Sequence, residues 1–425
     1  MSTAHVDTAN TANELLISAR MGMPASGASQ LLGRWSRGMI LRHHSQLRGG
    51  SIELSDARGT HLLGKGGELH AGVRVHRPEF FSRILFGGTV GAGESYIHGE
   101  WDCDDLVSLM RILLRNRHQL TGMERGAARL SRRLRHVRHL MRRNSRQGSR
   151  ANIAAHYDLG NDLFELFLDE TMMYSSAVFP APEADLATAQ RHKLDLICQS
   201  LNIQPGDRVV EIGTGWGGFA MHAAEHFGAH VTTTTISKEQ HDWAAREIAR
   251  RGLQDRITLL LKDYRDLQGQ YDKLVSIEMI EAVGHQYYDR FMQQCASLLK
   301  PQGQALIQAI TIDDERYVEA RDSVDFIKEF VFPGGCLPGI AVLTQAGSEA
   351  GLRLTGLQDY AADYATTLAH WRHRFHAATE QIDALGYPRE FRRLWHYYLC
   401  YCEAGFREQS IGLAHMQFTR GNITR

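Results

Sequence analysis

The sequence lacks several features that would assign it at once to a common class of protein. No run of apolar residues approaches the roughly 20 that a membrane-spanning helix needs. The 48 basic and 48 acidic residues leave no net charge, which speaks against a uniformly basic nucleic-acid-binding protein. The N-terminal segment has no basic stretch followed by an apolar one, so we expect no secretory signal peptide. These absences favour a globular cytoplasmic protein without a nucleic-acid partner.

Cysteine is scarce, and neither cysteine nor histidine follows the spacing of a metal site. The 6 Cys are scattered along the chain and no CxxC pair occurs. Such a pattern is typical of reduced thiols, not of a disulfide framework or a structural zinc site. The 22 His also show no metal-ligand spacing. We therefore expect no bound metal.

The charge that is present is unevenly distributed. Between Arg111 and Arg150 lie 13 Arg, no Lys and a single acid, Glu124. Within this block, apolar residues recur at helical spacing, at Leu130, Leu134, Val137 and Met141. A basic amphipathic helix of this kind can bind an anionic membrane surface. A solvated interdomain linker and an RNA-binding segment would share the composition, and the block alone leaves all three interpretations open.

A length of 425 residues predicts two or three domains. Short β-like runs separated by glycine indicate a small α+β domain over 1–115, with a Gly-rich loop at 87–101 and a helix at 104–115. The Arg-rich segment 116–150 then serves as a linker or amphipathic helix. From 151 to 425 the texture changes to alternating strand-like and helix-like segments, which we assign to a catalytic domain.

The alternation after residue 151 predicts a mostly parallel, doubly wound α/β sheet. Five strand candidates occupy 208–212, 230–236, 257–261, 273–278 and 304–312, and two later ones occupy 352–358 and 414–419. Helical stretches at 217–227, 238–252 and 287–299 separate most of the first five. Segments 313–350 and 365–410 are predicted insertions that cover the domain, the second of them as two helices split at 386–388.

A glycine-rich turn after the first of these strands predicts a nucleotide-like ligand. Gly213, Gly215 and Gly218 satisfy the spacing of a dinucleotide fingerprint, but the second strand ends without the acidic residue that would hold a ribose. Glu211, two residues before the first glycine, instead fits the pattern of class I S-adenosylmethionine methyltransferases. Asp263 follows the third strand, where it can meet the adenine amino group. The ordered set predicts S-adenosylmethionine as cofactor.

Several longer strings then accumulate in a fixed order. They are MYSSA, EIGTGWG, TISKEQ, DYRD, MIEAVG, FPGGCLP and ADY, at 173–177, 211–217, 235–240, 263–266, 279–284, 332–338 and 362–364. Together they resemble the cyclopropane-fatty-acyl-phospholipid synthase family, which includes the mycolic acid cyclopropane synthases. The resemblance covers about 150–420 strongly. It extends to the N-terminal region chiefly through GESYIHGEW at 93–101.

The resemblance implies a reaction and its partners. The alkene of a cis-unsaturated acyl chain takes the methyl group of S-adenosylmethionine, a carbocation forms, and a bound bicarbonate ion removes a methyl proton as a cyclopropane ring closes. The implied fold is the Rossmann-like class I methyltransferase sheet, in which the insertions 313–350 and 365–410 cover an acyl-chain cavity. A smaller α+β N-terminal domain, 1–115, would help to dock the protein on lipid. The implied substrate is a phospholipid bilayer with unsaturated acyl chains, approached from the inner face by a peripheral enzyme that can form a homodimer.

The resemblance also assigns residues. Glu281 and Tyr364 belong to the bicarbonate pocket, Ser176 and Gln308 stand where the family has Cys and His, and Cys402 matches a Cys near the site. The implied cofactor contacts are Tyr174, Ser175, Glu211, Gly213, Gly215, Gly217, Thr235, Ile236, Gln240, Asp263 and Tyr264. The aromatic run Trp395, Tyr397, Tyr398 and Tyr401 forms core or walls an acyl tunnel.

Three other functions remain open from the sequence. The same fold can produce methyl- or methylene-branched acyl chains without closing a ring. It can also methylate a soluble small molecule at nitrogen or oxygen. A lipid-binding protein without catalysis is the third, although Glu211, Glu281 and Tyr364 speak against it.

Overall fold

The computed structural model describes residues 27–44, 46–120 and 159–421. Residues 121–150, which hold most of the predicted Arg-rich linker, lie outside that range. No helix among the described residues is both long enough and apolar enough to cross a bilayer. The described part contains two β-sheets, one in the N-terminal region and one after residue 200.

The N-terminal region builds a four-stranded sheet with flanking helices. Its elements are α1 (Gly27–His44), β1 (Gly50–Asp56), β2 (Gly59–Gly66), β3 (Leu69–Val75), α2 (Glu79–Ile97), β4 (Trp101–Cys103), α3 (Leu106–Arg115) and α4 (Arg117–Leu120). The strand order is β2-β1-β3-β4, with β1 and β3 parallel and the other pairs antiparallel. Burial alternates along β3, so one face of this sheet packs on the core.

The Gly-rich segment 87–101 was predicted to be a loop, and that prediction is wrong. Residues up to Ile97 belong to helix α2, which kinks at Gly88. A Cβ on Gly91 would lie 2.1 Å from the carbonyl oxygen of Arg83, and one on Gly93 would lie 2.3 Å from the ring of Phe326. These glycines therefore permit close packing around a helix, and the turn between α2 and β4 is confined to the last few residues of the segment.

The second sheet confirms the predicted doubly wound fold. After α5 (Asn161–Phe167) and α6 (Leu186–Ser200) come β5 (Arg208–Ile212), α7 (Gly218–His226), β6 (His230–Thr235), α8 (Lys238–Arg250), β7 (Ile257–Leu261), β8 (Tyr271–Ile277), α9 (Tyr288–Leu298) and β9 (Leu299–Thr311). The chain continues through α10 (Asp314–Asp322), α11 (Phe326–Phe330), α12 (Ile340–Glu349), β10 (Leu352–Asp359), α13 (Ala361–Ala377), α14 (Thr379–Ala384), α15 (Arg389–Arg407) and β11 (Gly412–Arg420).

The order of strands in this sheet fixes the position of its ligand crevice. The order is β10-β11-β9-β8-β5-β6-β7, in which β7, β6, β5, β8 and β9 run parallel and β11 and β10 are antiparallel. The chain order reverses on either side of β5, whose neighbours are β6 and β8. A crevice opens outside the carboxyl ends of the strands at such a reversal. The segments that follow β5 and β8 therefore face the same crevice.

The helical insertion joins the two sheet regions. It forms three helices, α13 to α15, not the two predicted. Arg393 on α15 donates hydrogen bonds to the carbonyl oxygens of Tyr96 (2.5 Å) and Trp101 (2.7 Å) and to the carboxylate of Asp102 (2.7 Å). Buried residues of the N-terminal sheet and of α13 and α15 belong to one continuous apolar core.

Candidate active site

The glycine loop after β5 leaves the backbone open toward the crevice. Gly213 and Gly215 have φ values of 102° and 52°, in the left-handed region that favours glycine. A Cβ on Gly213 would contact the side chain of Met279 at 3.2 Å, whereas one on Gly215 would meet no protein atom within 4 Å. Helix α7 begins directly afterwards at Gly218, so its N-terminal N–H groups are directed at whatever occupies the loop. The loop fits the predicted cofactor.

Glu211 lies at the penultimate position of β5 and is almost completely buried. Its Oε2 accepts a 2.6 Å hydrogen bond from the hydroxyl of Thr233, which is itself 2.6 Å from the hydroxyl of Thr214. Burial raises the pKa of the Glu211 carboxyl to about 8. A cation close to this group would favour its ionised form, which suits the predicted contact with the amino group of the methionine moiety.

This raised pKa predicts that cofactor binding releases a proton. At pH 7 the empty site holds Glu211 mostly protonated, and an ammonium ligand stabilises the carboxylate. The affinity for S-adenosylhomocysteine should therefore rise about tenfold per pH unit between pH 6 and 7, until it levels off above the pKa. Calorimetric titration in buffers of different ionisation enthalpy measures the released proton directly. Equal heats in all buffers, or the same pH dependence in Glu211→Gln, would contradict the assignment.

The predicted contacts around the ribose and adenine lie together at the carboxyl end of β6. The hydroxyl of Thr235 donates to Oε1 of Gln240 at 2.9 Å and accepts from the backbone N–H of Ser237 at 3.1 Å. Ser237 in turn caps the N-terminus of α8. Ile236, which lies between Thr235 and Ser237 in the chain, is half-buried. The strand end and the helix start are thus locked in one geometry, with Thr235, Ile236 and Gln240 near the crevice edge.

The two residues predicted to contact adenine, Asp263 and Tyr264, interact with neighbouring side chains. Asp263 forms a nearly buried, two-pronged ion pair with Arg265, at 2.8 and 2.5 Å. The hydroxyl of Tyr264 is buried, and no described residue hydrogen-bonds it. Its ring packs edge-on against Phe291 at 5.4 Å. The contacts of Asp263 and Tyr264 with adenine stay predictions.

The segment before the sheet brings Tyr174 and Ser175 to the crevice. The hydroxyl of Tyr174 lies 2.9 Å from that of Tyr398 on α15. Ser175 is fixed by helix α6 on two sides: its hydroxyl accepts from Lys193 at 2.8 Å, and its carbonyl oxygen accepts from Gln190 at 2.8 Å. Both residues are therefore held in place by side chains that the sequence did not single out.

At the centre of the site is a residue that the sequence analysis placed inside a strand. Strand β8 ends at Ile277, and Glu278 follows with a φ of 48°, a left-handed conformation that a non-glycine residue seldom adopts. Its carboxylate accepts hydrogen bonds from the hydroxyl of Tyr364 (2.6 Å), the side-chain amide of Gln308 (2.7 Å) and the backbone N–H of Ser176 (2.8 Å). Three elements thus converge on one carboxylate, as is common for strained residues at functional sites.

Two predicted pocket residues therefore meet at Glu278, and a third does so in an unexpected way. Ser176 contributes its backbone N–H, because its hydroxyl is turned to the carbonyl oxygen of Ala177 at 2.8 Å. Gln308 contributes its amide, as predicted from its ability to donate. Tyr364 donates because burial and the charge of Glu278 hold the pKa of its phenol well above the usual value.

Glu281 lies one short turn further on, in the 3-10 turn Ile280–Ala282. Its Oε1 accepts from the backbone N–H of Ile310 at 2.5 Å, and its buried Oε2 has no hydrogen-bond partner among the described residues. Burial away from solvent, and then the negative charge of Glu278, raise the pKa of Glu281 to about 8. Glu281 is thus close to the predicted pocket, but the predicted donors bond Glu278 instead.

These contacts test whether a bicarbonate ion fits. Tyr364, Gln308 and the N–H of Ser176 all donate hydrogen bonds to Glu278, and the N–H of Ile310 donates to Glu281. A second anion would have to displace a carboxylate of the protein from these donors. The residues present therefore do not fit bicarbonate.

A buried lysine supplies positive charge nearby. Lys193 on α6 is completely excluded from solvent. Burial lowers the pKa of its ammonium group, while the carboxylates of Glu278 and Asp169 oppose that shift. Burial also raises the pKa of Glu278, and Lys193 and the three donors act against it. The cation and the hydrogen bonds thus stabilise the ionised form of Glu278.

Aromatic rings form a connected cluster around Tyr364, one of the donors to this carboxylate. The set comprises Phe164, Tyr174, Tyr364, Trp371, Trp395, Tyr398 and Phe406. Tyr364 stacks on Phe406 with ring centroids 4.4 Å apart, and Tyr174 lies 5.3 Å from Trp371. Electron-rich ring faces can stabilise a cation that develops in such a place.

Cys402, Tyr397 and Tyr401, which the sequence also singled out, are packed inside the protein along α15. Burial raises the pKa of the Cys402 thiol far above its ordinary value, so that it stays a neutral thiol on α15. Tyr397 and Tyr401 turn away from the Tyr174 side and pack around Phe326, at 4.6 and 5.9 Å. Trp395 and Tyr398 instead belong to the aromatic cluster around Tyr174, and their place in the wall of an acyl tunnel stays a prediction.

Sequence reasoning missed Glu278 and Lys193. A carboxylate directly after the apolar run of the fourth strand was a usable indication for Glu278, because that strand ends at the reversal of the sheet. For Lys193 no local pattern distinguishes a buried lysine from the exposed ones of an amphipathic helix. Only the packing of α6 under the segment 173–176 reveals it.

Comparisons with known proteins agree with this geometry. A family described as mycolic acid cyclopropane synthetase matches residues 144–416. A tuberculostearic acid methyltransferase of Mycobacterium tuberculosis is 40% identical over 78% of this chain and 79% of its own length. The cyclopropane-fatty-acyl-phospholipid synthase of Escherichia coli K12 is 38% identical over 84% of this chain and 89% of its own.

Solved structures extend the likeness to the fold. A cyclopropane synthase from Mycobacterium tuberculosis superposes with a TM-score of 0.60 at 28% identity, covering 64% of this chain and 98% of that one. A mycolic acid cyclopropane synthase complexed with SAH and CTAB gives 0.59 at 31% identity, with the same coverage of both chains. SAH is what S-adenosylmethionine becomes after its methyl group is transferred. The chain belongs to the mycolic acid cyclopropane synthetase family and is an S-adenosylmethionine-dependent methyltransferase with the class I fold.

Proposed function

We propose that this enzyme adds a methylene group across a cis double bond in an unsaturated acyl chain of a membrane phospholipid, to give a cyclopropane fatty acid. The observation that carries the proposal is the carboxylate of Glu278, held by three donors beside the glycine loop in an aromatic-lined crevice. Such a group is a weak base, which is enough to take a methyl proton that a neighbouring carbocation has made acidic. The name of the Escherichia coli relative supports the same substrate class.

The chemistry needs one base and little else from the protein. S-adenosylmethionine, when bound, supplies an electrophilic methyl group. The alkene electrons form the new bond to that methyl carbon, the bond from carbon to sulfur breaks toward sulfur, and positive charge remains on the other alkene carbon. Glu278 then takes one methyl proton, and the C–H electrons close the ring. Because an alkene is a poor nucleophile, orientation and exclusion of water supply most of the rate.

The two carboxyl groups take different roles. Glu281, with a pKa raised to about 8, is mostly protonated at neutral pH. Burial raises the pKa of Glu278 as well, but hydrogen bonds from Tyr364, Gln308 and Ser176 and the charge of Lys193 oppose that shift, so we assign the negative charge to Glu278 on these contacts. The base is therefore Glu278 and the neutral partner is Glu281, an assignment that rests on the three donors and the cation at Glu278.

This assignment replaces the predicted bicarbonate ion by a side chain. The donors that were expected to hold bicarbonate already hold Glu278. We therefore propose that the base is part of the protein and route no step through a captured anion.

A second candidate product is a methyl- or methylene-branched acyl chain. The observation that favours it is the 40% identity to a tuberculostearic acid methyltransferase over most of both chains. Methyl transfer to the alkene and loss of a proton to Glu278 give either a ring or a methylene branch. For the ring, the C–H electrons bond directly to the cationic carbon. For the methylene branch, a hydride first moves to that carbon from the neighbouring carbon that carries the methyl group, and the C–H electrons then form a C=CH2 bond. A saturated methyl branch would also require reduction of that bond by a hydride donor of a separate enzyme.

Fatty acid analysis tests the function. Gas chromatography–mass spectrometry of cells that express the chain should show acyl chains one CH2 unit heavier than an unsaturated parent. Derivatisation of double bonds then separates a ring, which does not react, from a methylene branch, which does. Cells that express Glu278→Gln are the matched control. Unchanged acyl chains with a folded, cofactor-binding protein would contradict both candidates.

We also propose that the enzyme works peripherally on the inner face of the membrane, bound through the segment from Arg111 to Arg150. Its 13 Arg and one acid support attraction to anionic lipid. Sedimentation with anionic vesicles should weaken steeply with salt and with Arg132→Glu, Arg133→Glu and Arg135→Glu combined. Binding that ignores both would favour a plain linker. The homodimer stays a prediction.

A further inference from the structure

Three groups donate hydrogen bonds to Glu278. Of these, Gln308 is the one that a rotation of its side chain could turn from a donor into an acceptor. Tyr364 and the backbone N–H of Ser176 can only donate to a carboxylate in these positions. A side-chain amide carries a donor and an acceptor at nearly equal distances, so a half-turn would replace the NH2 group by a carbonyl oxygen. That oxygen would then face Oε1 of Glu278 at the 2.7 Å separation where the amide nitrogen now lies.

A second buried residue decides which way the amide points. Nε2 of His415 lies 2.9 Å from Oε1 of Gln308. The two residues are direct partners in the antiparallel pairing of β11 with β9, so their side chains emerge on the same face of the sheet. Gln308 is fully excluded from solvent and His415 is 4% exposed, so water does not compete for this contact.

The direction of this hydrogen bond follows from the carboxylate. An ionised Glu278 only accepts, so Gln308 must present its NH2 group to it and its carbonyl oxygen to His415. The carbonyl oxygen only accepts, so Nε2 of His415 must carry the hydrogen. Burial, and then the positive charge of Lys193, lower the pKa of His415 to about 3, which makes it a neutral donor throughout the working range. The ring of Tyr360, 4.6 Å away, packs against the imidazole.

From this geometry we propose that His415 is a positioning residue for the reaction: it fixes the amide of Gln308 so that the NH2 group stays directed at Glu278. The inference rests on the proposed role of Glu278 as base. His415 touches neither that carboxylate nor the reacting atoms, and it acts only through Gln308. The pair of His415 and Gln308 thereby supplies one defined donor to the base.

Loss of the histidine should free the amide to turn. We expect His415→Phe, which keeps a ring but removes the donor, to lower kcat by up to about a hundredfold, the lower end of the range for loss of one oriented donor, because the amide is freed to turn and is not removed. The affinity for S-adenosylhomocysteine should stay unchanged. His415→Gln places an NH2 group close to the former Nε2 position and should recover most of the rate. His222→Phe, which removes a buried histidine bonded to Asp195 outside the site, is the matched control.

The pH profile distinguishes positioning from simple support of the fold. The groups that face Glu278 are Tyr364 from α13, Lys193 from α6, Glu281 from the 3-10 turn, Gln308 from β9 and the N–H of Ser176. With a carbonyl oxygen turned toward it, Glu278 would hold its proton more tightly. The acid limb of the kcat profile should therefore move to higher pH in His415→Phe and return in His415→Gln.

A double-mutant cycle completes the test. If His415 acts through Gln308, the losses in His415→Phe and Gln308→Met should not add in the double variant. Additive losses, or a wild-type kcat and pH profile in His415→Phe, would overturn the proposal. Failure of the proposed function looks different: Glu278→Gln, assayed alongside, would then keep wild-type turnover whatever His415 does.

Discussion

Replacing Glu278 by glutamine should lower turnover by about a thousandfold, within the range that a positioned general base contributes. Glutamine keeps the size of the side chain but cannot take a proton from the transferred methyl group. The affinity for the cofactor should change little, because the carboxylate bonds Tyr364, Gln308 and Ser176 and not the glycine loop. Turnover measured by release of labelled S-adenosylhomocysteine, with affinity measured by calorimetry, separates the two effects.

The matched variant is Glu281→Gln, which stands only three residues away. A carboxyl group that is already protonated at neutral pH is well imitated by a neutral amide, so we expect this change to reduce turnover far less than Glu278→Gln does. The reverse order of effects would return the base to Glu281. Recovery of Glu278→Gln by added bicarbonate would show that a captured anion can still replace the side chain.

The second large effect concerns the glycine loop. Gly213→Val should abolish detectable cofactor binding, because its φ of 102° strains any side chain and its Cβ would meet Met279 at 3.2 Å. The branched side chain would also narrow the space where the ligand must approach the backbone. Calorimetric titration with S-adenosylhomocysteine gives the affinity, and circular dichroism confirms that the variant is folded.

Gly206→Ala provides the control for backbone strain alone. This residue also has a positive φ, 88°, but it lies in the turn before β5, at the opposite end of the strand from the crevice. It should lose some stability and keep its affinity for the cofactor. Near-native affinity in Gly213→Val, or an equal loss in both variants, would contradict the assignment of the loop.

The sheet could be predicted from the sequence because its strands are encoded locally. Strands 208–212 and 257–261 have the bounds that apolar patterning indicated, and the alternation with helices gave the parallel order. The beginning of β9 could not be found this way. Its first residues, from Leu299, include a proline and a glycine, which normally mark a turn, and they become strand through pairing with β8 at Tyr271.

The dependence on tertiary contacts also explains two features that the sequence did not predict: the helix within the segment 87–101 and the hydrogen bonds to Glu278. The glycines of 87–101 suggested a loop, whereas Gly91 and Gly93 serve close contacts with Arg83 and Phe326 that depend on tertiary packing. In the site, the motifs singled out Tyr364 and Gln308, which the structure brings together, but not Glu278, the group that they bond. The carboxylate that receives those donors belongs to the first residue after strand β8, which has a φ of 48°.

The left-handed conformation of Glu278 bears on whether the base is a side chain or a dissolved anion. A residue with φ near 48° is in a conformation that glycine adopts without strain, whereas for glutamate it costs on the order of 1 kcal/mol. Glycine at this position would relax the chain and leave three inward-facing donors around a space suited to a small anion. In the mechanism that we propose, the glutamate makes the base a permanent part of the chain. It exchanges a slight loss of stability for a rate that does not vary with the supply of a dissolved ion.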